Sequence, residues 1–133
     1  PVSRSIMSNS RTALNAAFLT AGLFFAAAAQ AHPELLSSTP EAKAETTAPA
    51  RIELRFSEAL VTQFSGARLL MTGMAGMTHA PMPVEARVSG DADPKTMLIT
   101  PAKPLAAGTY RVEWRAVSSD THPITGNFSF SVK

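Results

Sequence analysis

Three segments of this 133-residue chain alternate apolar and polar side chains with a period of two. In RIELRF, Ile52, Leu54 and Phe56 fall on one side and Arg51, Glu53 and Arg55 on the other. TYRVEWRAV sets Tyr110, Val112, Trp114 and Ala116 against Arg111, Glu113 and Arg115, and NFSFSV places Phe128, Phe130 and Val132 together. This period buries one face and wets the other, as antiparallel strands require. Weaker strand patterns cover Leu35–Thr39, Ala67–Thr72, Val84–Ser89 and Thr96–Thr100. Turn-rich stretches such as SGDADPK, TPAKPLAAGT and SSDTHPITG separate them. About seven short strands at this spacing predict an all-β domain, a sandwich or a small Greek-key barrel. SEALVTQF (Ser57–Phe64) fits either an irregular crossover or one helical turn. No internal repeat is visible.

The first thirty-one residues do not share this pattern. Arg11 supplies a short positive region, Leu14 to Ala28 is apolar, and Ala29-Gln30-Ala31 is a small-x-small cleavage signal. Residues 1–31 therefore read as a cleavable secretory signal peptide, with residues 1–6 upstream of a start at Met7. The apolar run is short for a membrane anchor and ends in the cleavage motif. Export predicts a periplasmic location. Cleavage would leave residues 32–133, in which, once Arg4 and Arg11 have left with the signal, ten basic residues face ten acidic ones. No basic patch points to nucleic acid. The chain has no cysteine, which excludes a thiolate nucleophile, a zinc–thiolate site and a blue-copper centre. A domain of this size without disulfides relies on its core.

Against that background MTGMAGMTHAPM, Met71 to Met82, is unusual. Four of the six methionines and one of the three histidines lie in twelve residues that also hold two glycines and a proline, a loop-like composition. A thioether sulfur is neutral, soft and polarisable, suits cuprous copper, and binds without losing a proton. Met71, Met74, Met77 and Met82, with the imidazole of His79, form a candidate Cu(I) site. The alternatives are packing, strongest for Met71 at a strand end, and an adaptable protein-binding surface. Met97, inside a strand, belongs to the core. A second group of ligands is spread along the chain. Cleavage would make His32 the first residue, with an α-amine and a ring nitrogen able to chelate one ion. Asp120 and His122, two apart in DTH, point the same way in extended chain. Amine, imidazole and carboxylate suit Cu(II), and Glu58 is a further carboxylate able to approach. Singly, each has a plainer explanation: a turn residue, a turn acceptor, a solvated charge, a frayed terminus.

HPELLSSTP, FSEALVTQFSGA, the methionine stretch, DPKTMLITPA and GTYRVEWRAVSSDTHPITG together resemble the CopC family of periplasmic copper-resistance proteins, over essentially the whole of residues 32–133. The resemblance implies a secreted Greek-key β-barrel, cupredoxin- or immunoglobulin-like, with copper as its cargo in two sites. The cuprous site maps to Met71, Met74, Met77, His79 and Met82. The cupric site maps to His32, Asp120 and His122, with Glu58 at a position also proposed as a ligand. It further implies work with a CopD-like inner-membrane protein, as a monomer or a metal-bridged dimer.

Other classes compete with a copper carrier for homeostasis and resistance. An N-terminal histidine chelate with a second histidine also resembles the histidine brace of copper monooxygenases. Asp120 and Glu58 would fill the cupric ion's positions, however, and leave little room for oxygen, so no enzyme activity is expected. SSDTH holds Ser, Asp and His too close in sequence for triad geometry. An adhesive β-module would explain the strands and leave the methionines unexplained.

Overall fold

The structure, a computed structural model, describes residues 32–74 and 76–133; the predicted signal peptide lies outside the described residues. Nine strands follow one another, with no helix among the described residues. They are β1 (Leu35–Thr39), β2 (Glu45–Thr46), β3 (Ile52–Phe56), β4 (Gly66–Met74), β5 (Met77–Val84), β6 (Ala86–Gly90), β7 (Thr96–Pro101), β8 (Gly108–Ala116) and β9 (Ile124–Val132). One sheet has the order β1-β3-β7-β6 and the other β2-β9-β8-β4-β5. All pairings are antiparallel except the short β2–β9 contact.

The period-two residues make the layer between the sheets. Ile52, Leu54 and Phe56 of β3, with Met97 and Ile99 of β7, join one cluster with Leu69 and Met71 of β4, Tyr110, Val112 and Trp114 of β8, and Phe128, Phe130 and Val132 of β9. Phe56 meets Trp114 edge to face at 5.2 Å between ring centroids, and Tyr110 stacks on Phe130 at 5.7 Å. The Tyr110 hydroxyl donates to the Ala106 carbonyl at 2.6 Å, so burying the ring leaves no orphaned donor. Burial of each large apolar side chain contributes about 1.5–3 kcal/mol, which lets a disulfide-free domain fold.

Several expected boundaries shift. The strand count is nine rather than about seven, because β2 is only two residues long and β5 carries no alternation. The expected strand Val84–Ser89 is two strands: Val84 closes β5, Glu85 breaks the run, and Ala86 opens β6 in the other sheet. Ser57–Phe64 is an irregular crossover that contains one hydrogen-bonded turn, in which the Phe64 and Ser65 amides both donate to the Val61 carbonyl at 3.1 Å. The methionine stretch is not a loop. It is a β-hairpin, β4 and β5, with Gly76 in its turn at φ +77°. Pro81 and Pro83 are tolerated because β5 is an edge strand.

Candidate metal centre

The β8–β9 connection is shaped by its own side chains. The Thr121 amide donates to the Ser118 carbonyl at 3.0 Å, closing a turn, and Thr121 takes φ +64°. Left-handed backbone is costly for a β-branched residue, so the surrounding bonds must hold it. They do: the Thr121 hydroxyl donates to the Asp120 carbonyl at 2.6 Å, and the His122 amide and the buried Ser118 hydroxyl donate to Asp120 Oδ1 at 3.2 and 3.1 Å. One carboxylate oxygen is thereby committed to the protein. The other, Oδ2, is buried without a hydrogen bond of proper geometry and lies 2.6 Å from Nδ1 of His32 and 3.9 Å from Nδ1 of His122.

His32 arrives from the far end of the sequence. Pro33 is fully buried beside it, and Glu34 and Ser57 exchange two bonds of 2.9 Å, amide to hydroxyl and amide to carbonyl. These contacts fix the start of the domain against the end of β3. The two imidazoles stand 5.9 Å apart between centroids, and one donor atom from each of His32, Asp120 and His122 lies within 4.8 Å of the others. A carboxylate oxygen and two ring nitrogens so placed, with the carboxylate only 15% exposed and its ring partners open to solvent, are a candidate cation site. Burial pushes the Asp120 carboxyl up, but the His122 amide, the Ser118 hydroxyl and the charges of His32 and His122 outweigh it and hold the group below its ordinary range. Asp120 is therefore an anion, as a ligand must be. Glu58 is half-buried in the crossover next to Ser57 and is not part of this three-residue cluster.

The hairpin presents a different arrangement. Met74 and Met77 are directly paired across the turn and are 49% and 73% exposed. Directly opposed residues share a face, with Cβ atoms about 4.5–5.5 Å apart, so two thioethers stand side by side. Met82, 55% exposed, pairs instead with Met71, beyond an irregularity in the register around Gly73. Met71 itself is 7% exposed and belongs to the core cluster. Its sulfur is thus packed inside, as the strand-end alternative foresees, while the other three methionines are offered to solvent. His79 Nδ1 lies 2.8 Å from the Ala80 carbonyl, to which only an N–H can donate, leaving Nε2 with a free lone pair.

The two groups are held at opposite ends of β8. Gly73, at the hairpin tip, pairs with Thr109, whereas Ala116 pairs with Ile124 to close the loop of Asp120 and His122. Seven residue steps at roughly 3.4 Å each put about 25 Å between them.

The CopC domain model matches residues 35–133. The chain is 68% identical over 113 residues to Copper resistance protein C of Pseudomonas syringae pv. tomato, covering 85% of this chain and 90% of that one. The chain belongs to the CopC family. Copper resistance protein C of Escherichia coli is 62% identical over 123 residues, with 90% of this chain and 98% of that protein covered. The crystal structure of PcoC, a methionine-rich copper resistance protein from Escherichia coli, superimposes with a TM-score of 0.73 at 63% identity, over 77% of this chain and all of that one.

Within this CopC domain, sequence reasoning names the residues of both groups but misses what orients them. Ser118 and Thr121 flank Asp120, and the spacing Ser-x-Asp before His-Pro was the available signal, because a short hydroxyl and a carboxylate two apart favour a local turn.

Proposed function

We propose that this CopC-family protein binds and carries copper for copper resistance and homeostasis, with Cu(II) at His32, Asp120 and His122 and Cu(I) on the hairpin around Met74 and Met77. The observation that carries the reading is Asp120 Oδ2, a buried anionic oxygen set 2.6 and 3.9 Å from the Nδ1 atoms of two imidazoles. A buried carboxylate oxygen needs a positive partner, and a cation shared with the two rings would supply one. Copper here is the cargo. Imidazole and carboxylate donors suit the cupric ion, and paired thioethers suit the cuprous one. His79 Nε2 and Met82 extend the cuprous donor set along β5, and Glu58 stands as an outer carboxylate for the cupric site.

Processing after Ala31 in the periplasm would turn the His32 backbone nitrogen into an amine and complete the cupric donor set. A CopD-like membrane protein is the proposed receiver. The reading is a carrier rather than an oxygenase because Asp120 Oδ2 reaches both imidazoles and takes the position that oxygen would need.

The test is copper stoichiometry in each oxidation state on the chain beginning at His32. The Met74→Leu/Met77→Leu variant is expected to lose Cu(I) alone, and His32→Ala to lose Cu(II) alone. Failure of the parent chain to bind either ion stoichiometrically would refute the assignment.

A further inference from the structure

A cleft of about 670 Å³ lies apart from both copper-ligand groups. It lies across the outer face of the five-stranded sheet, where Gly66, Arg115 and Thr125 are paired in one row and Arg68, Glu113 and Asn127 in the next. Part of its depth comes from Gly66, where a Cβ would meet nothing within 4 Å.

Three features make this cleft more than a dent. Phe64 is 59% exposed at its rim, yet its segment is tied down on both sides. The Val61 amide donates to the Val117 carbonyl at 2.7 Å, the Ser65 hydroxyl accepts from the Val117 amide at 3.0 Å, and Arg115 Nε donates to the Phe64 carbonyl at 3.3 Å. An aromatic ring held out by fixed backbone presents apolar surface at little further entropic cost. The charge is one-sided. Arg68 and Arg115 line the cleft with one acid, Glu113, which already pairs with Arg68 and with Arg111 beyond the lining. Arg115 has no ion pair among the described residues, so its guanidinium nitrogens are open to a carboxylate. The place is also telling. Arg115–Thr125 is the pair next to Ala116–Ile124, which closes the Asp120–His122 loop, and Val117 adjoins Ser118, which holds Asp120.

We infer that this cleft docks an acidic segment of the protein that exchanges copper with the His32–Asp120–His122 site, its carboxylates on Arg115 and Arg68 and its apolar side chains against Phe64. Aromatic and arginine anchors in a cleft are the usual centres of binding energy. Seating the partner there would bring its own ligands next to the cupric ligands, so that copper passes from donor to donor without entering solvent. The inference rests on the carrier function for the transfer step and on the cleft alone for docking.

The test uses the ¹⁵N-labelled protein and a capped peptide of four Asp-Glu repeats, at about 0.1 M salt so that only close charges count. The expected result is amide shifts gathered at Gly66, Arg115, Thr125 and Gly126. Arg68→Glu/Arg115→Glu should weaken binding about tenfold or more, Phe64→Ser should weaken it several-fold, and Lys103→Glu in the β7–β8 connection should leave it unchanged. The same peptide ended with a histidine should then withdraw Cu(II) faster from the parent protein than from the Arg68→Glu/Arg115→Glu variant. Shifts spread over every cationic residue, equal binding by the two charge variants, or pairing of two copies through Phe64 in place of peptide binding would overturn the docking claim. Equal withdrawal rates would overturn the transfer claim. A parent protein that binds peptide but no Cu(II) would sink the carrier function instead.

Discussion

Truncating the hairpin methionines one at a time separates packing from coordination. Met71 is 7% exposed and packs in the core, with its methyl carbon 2.7 Å from where a Cβ on Gly108 would lie. Met71→Ala removes that filling and leaves a cavity, at a cost of about 2–5 kcal/mol. For a domain near a hundred residues each kcal/mol moves the melting temperature by roughly 4–8 °C, so a fall of at least about 8 °C is expected. Met77 is 73% exposed and touches no core cluster. Met77→Ala should change stability by no more than about 0.5 kcal/mol. The order reverses for Cu(I). Met77→Ala should weaken it strongly, and Met71→Leu, which keeps the volume, should leave both melting temperature and Cu(I) affinity close to the parent. Differential scanning calorimetry without metal and competition for Cu(I) against a chromophoric chelator read the two quantities on the same samples. A destabilisation by Met77→Ala matching that of Met71→Ala would refute the division, since the exposed thioethers would then be packing. Loss of Cu(I) in Met71→Leu would show that the core sulfur coordinates after all.

Four other substitutions or conditions test the remaining geometry. Ser118→Ala frees Asp120 Oδ1 to rotate, and loss of such an outer contact typically costs about 10–100-fold in metal affinity, so Cu(II) binding should fall by that factor while Cu(I) binding holds. Because the folded Asp120 carboxyl sits below its ordinary value, its contribution to stability is present above the unfolded value and is lost as pH falls through the folded one. Acid unfolding of the metal-free protein should therefore begin below about pH 4 and shift less steeply in Asp120→Asn. Cu(II) should also leave at higher pH than Cu(I), because protons compete for imidazole and amine nitrogens and not for thioethers, which a pH titration of each loaded form would show. Gly126→Ala drives a methyl into the Trp114 ring and should destabilise by about 1–3 kcal/mol in denaturant unfolding followed by Trp114 fluorescence.

How far the sequence discloses this molecule depends on where the information resides. The β3, β8 and β9 strands are legible because each buries one face and wets the other, and that alternation is local. β5 is not legible, because an edge strand with two prolines and mostly exposed side chains has no buried face to impose a period. The methionines are conspicuous by composition, but whether each sulfur is packed depends on the neighbouring strands: Met71 lies between β8 and β5 and is inside, whereas Met82, its partner on the edge strand, and Met74 and Met77 at the turn are exposed. The same holds at the cupric group. His32 and His122 are ninety positions apart, and their meeting depends on Pro33 being buried and on Ser57 bonding Glu34, neither of which has a local signature.

The division of donors between the two ends of β8 has a consequence for how copper moves. On the proposed assignment, an ion that changes oxidation state would find its better ligands at the other end of the same strand, about 25 Å away at 3.4 Å per residue. Tyr110, Val112 and Trp114 of β8 point into a packed core, and the strand's other face carries Arg111, Glu113 and Arg115. Neither side offers a chain of intermediate ligands. Glu113 is the one carboxylate of β8, and the hydrogen bond from Arg68, with the charges of Arg68 and Arg111, engages it and holds it below its usual range. A change of oxidation state therefore has to release copper from one end to another molecule or to solvent rather than pass it along the strand. Separation by softness and by distance makes each end answer to its own partner, which is what a carrier needs if loading and unloading are to be controlled independently.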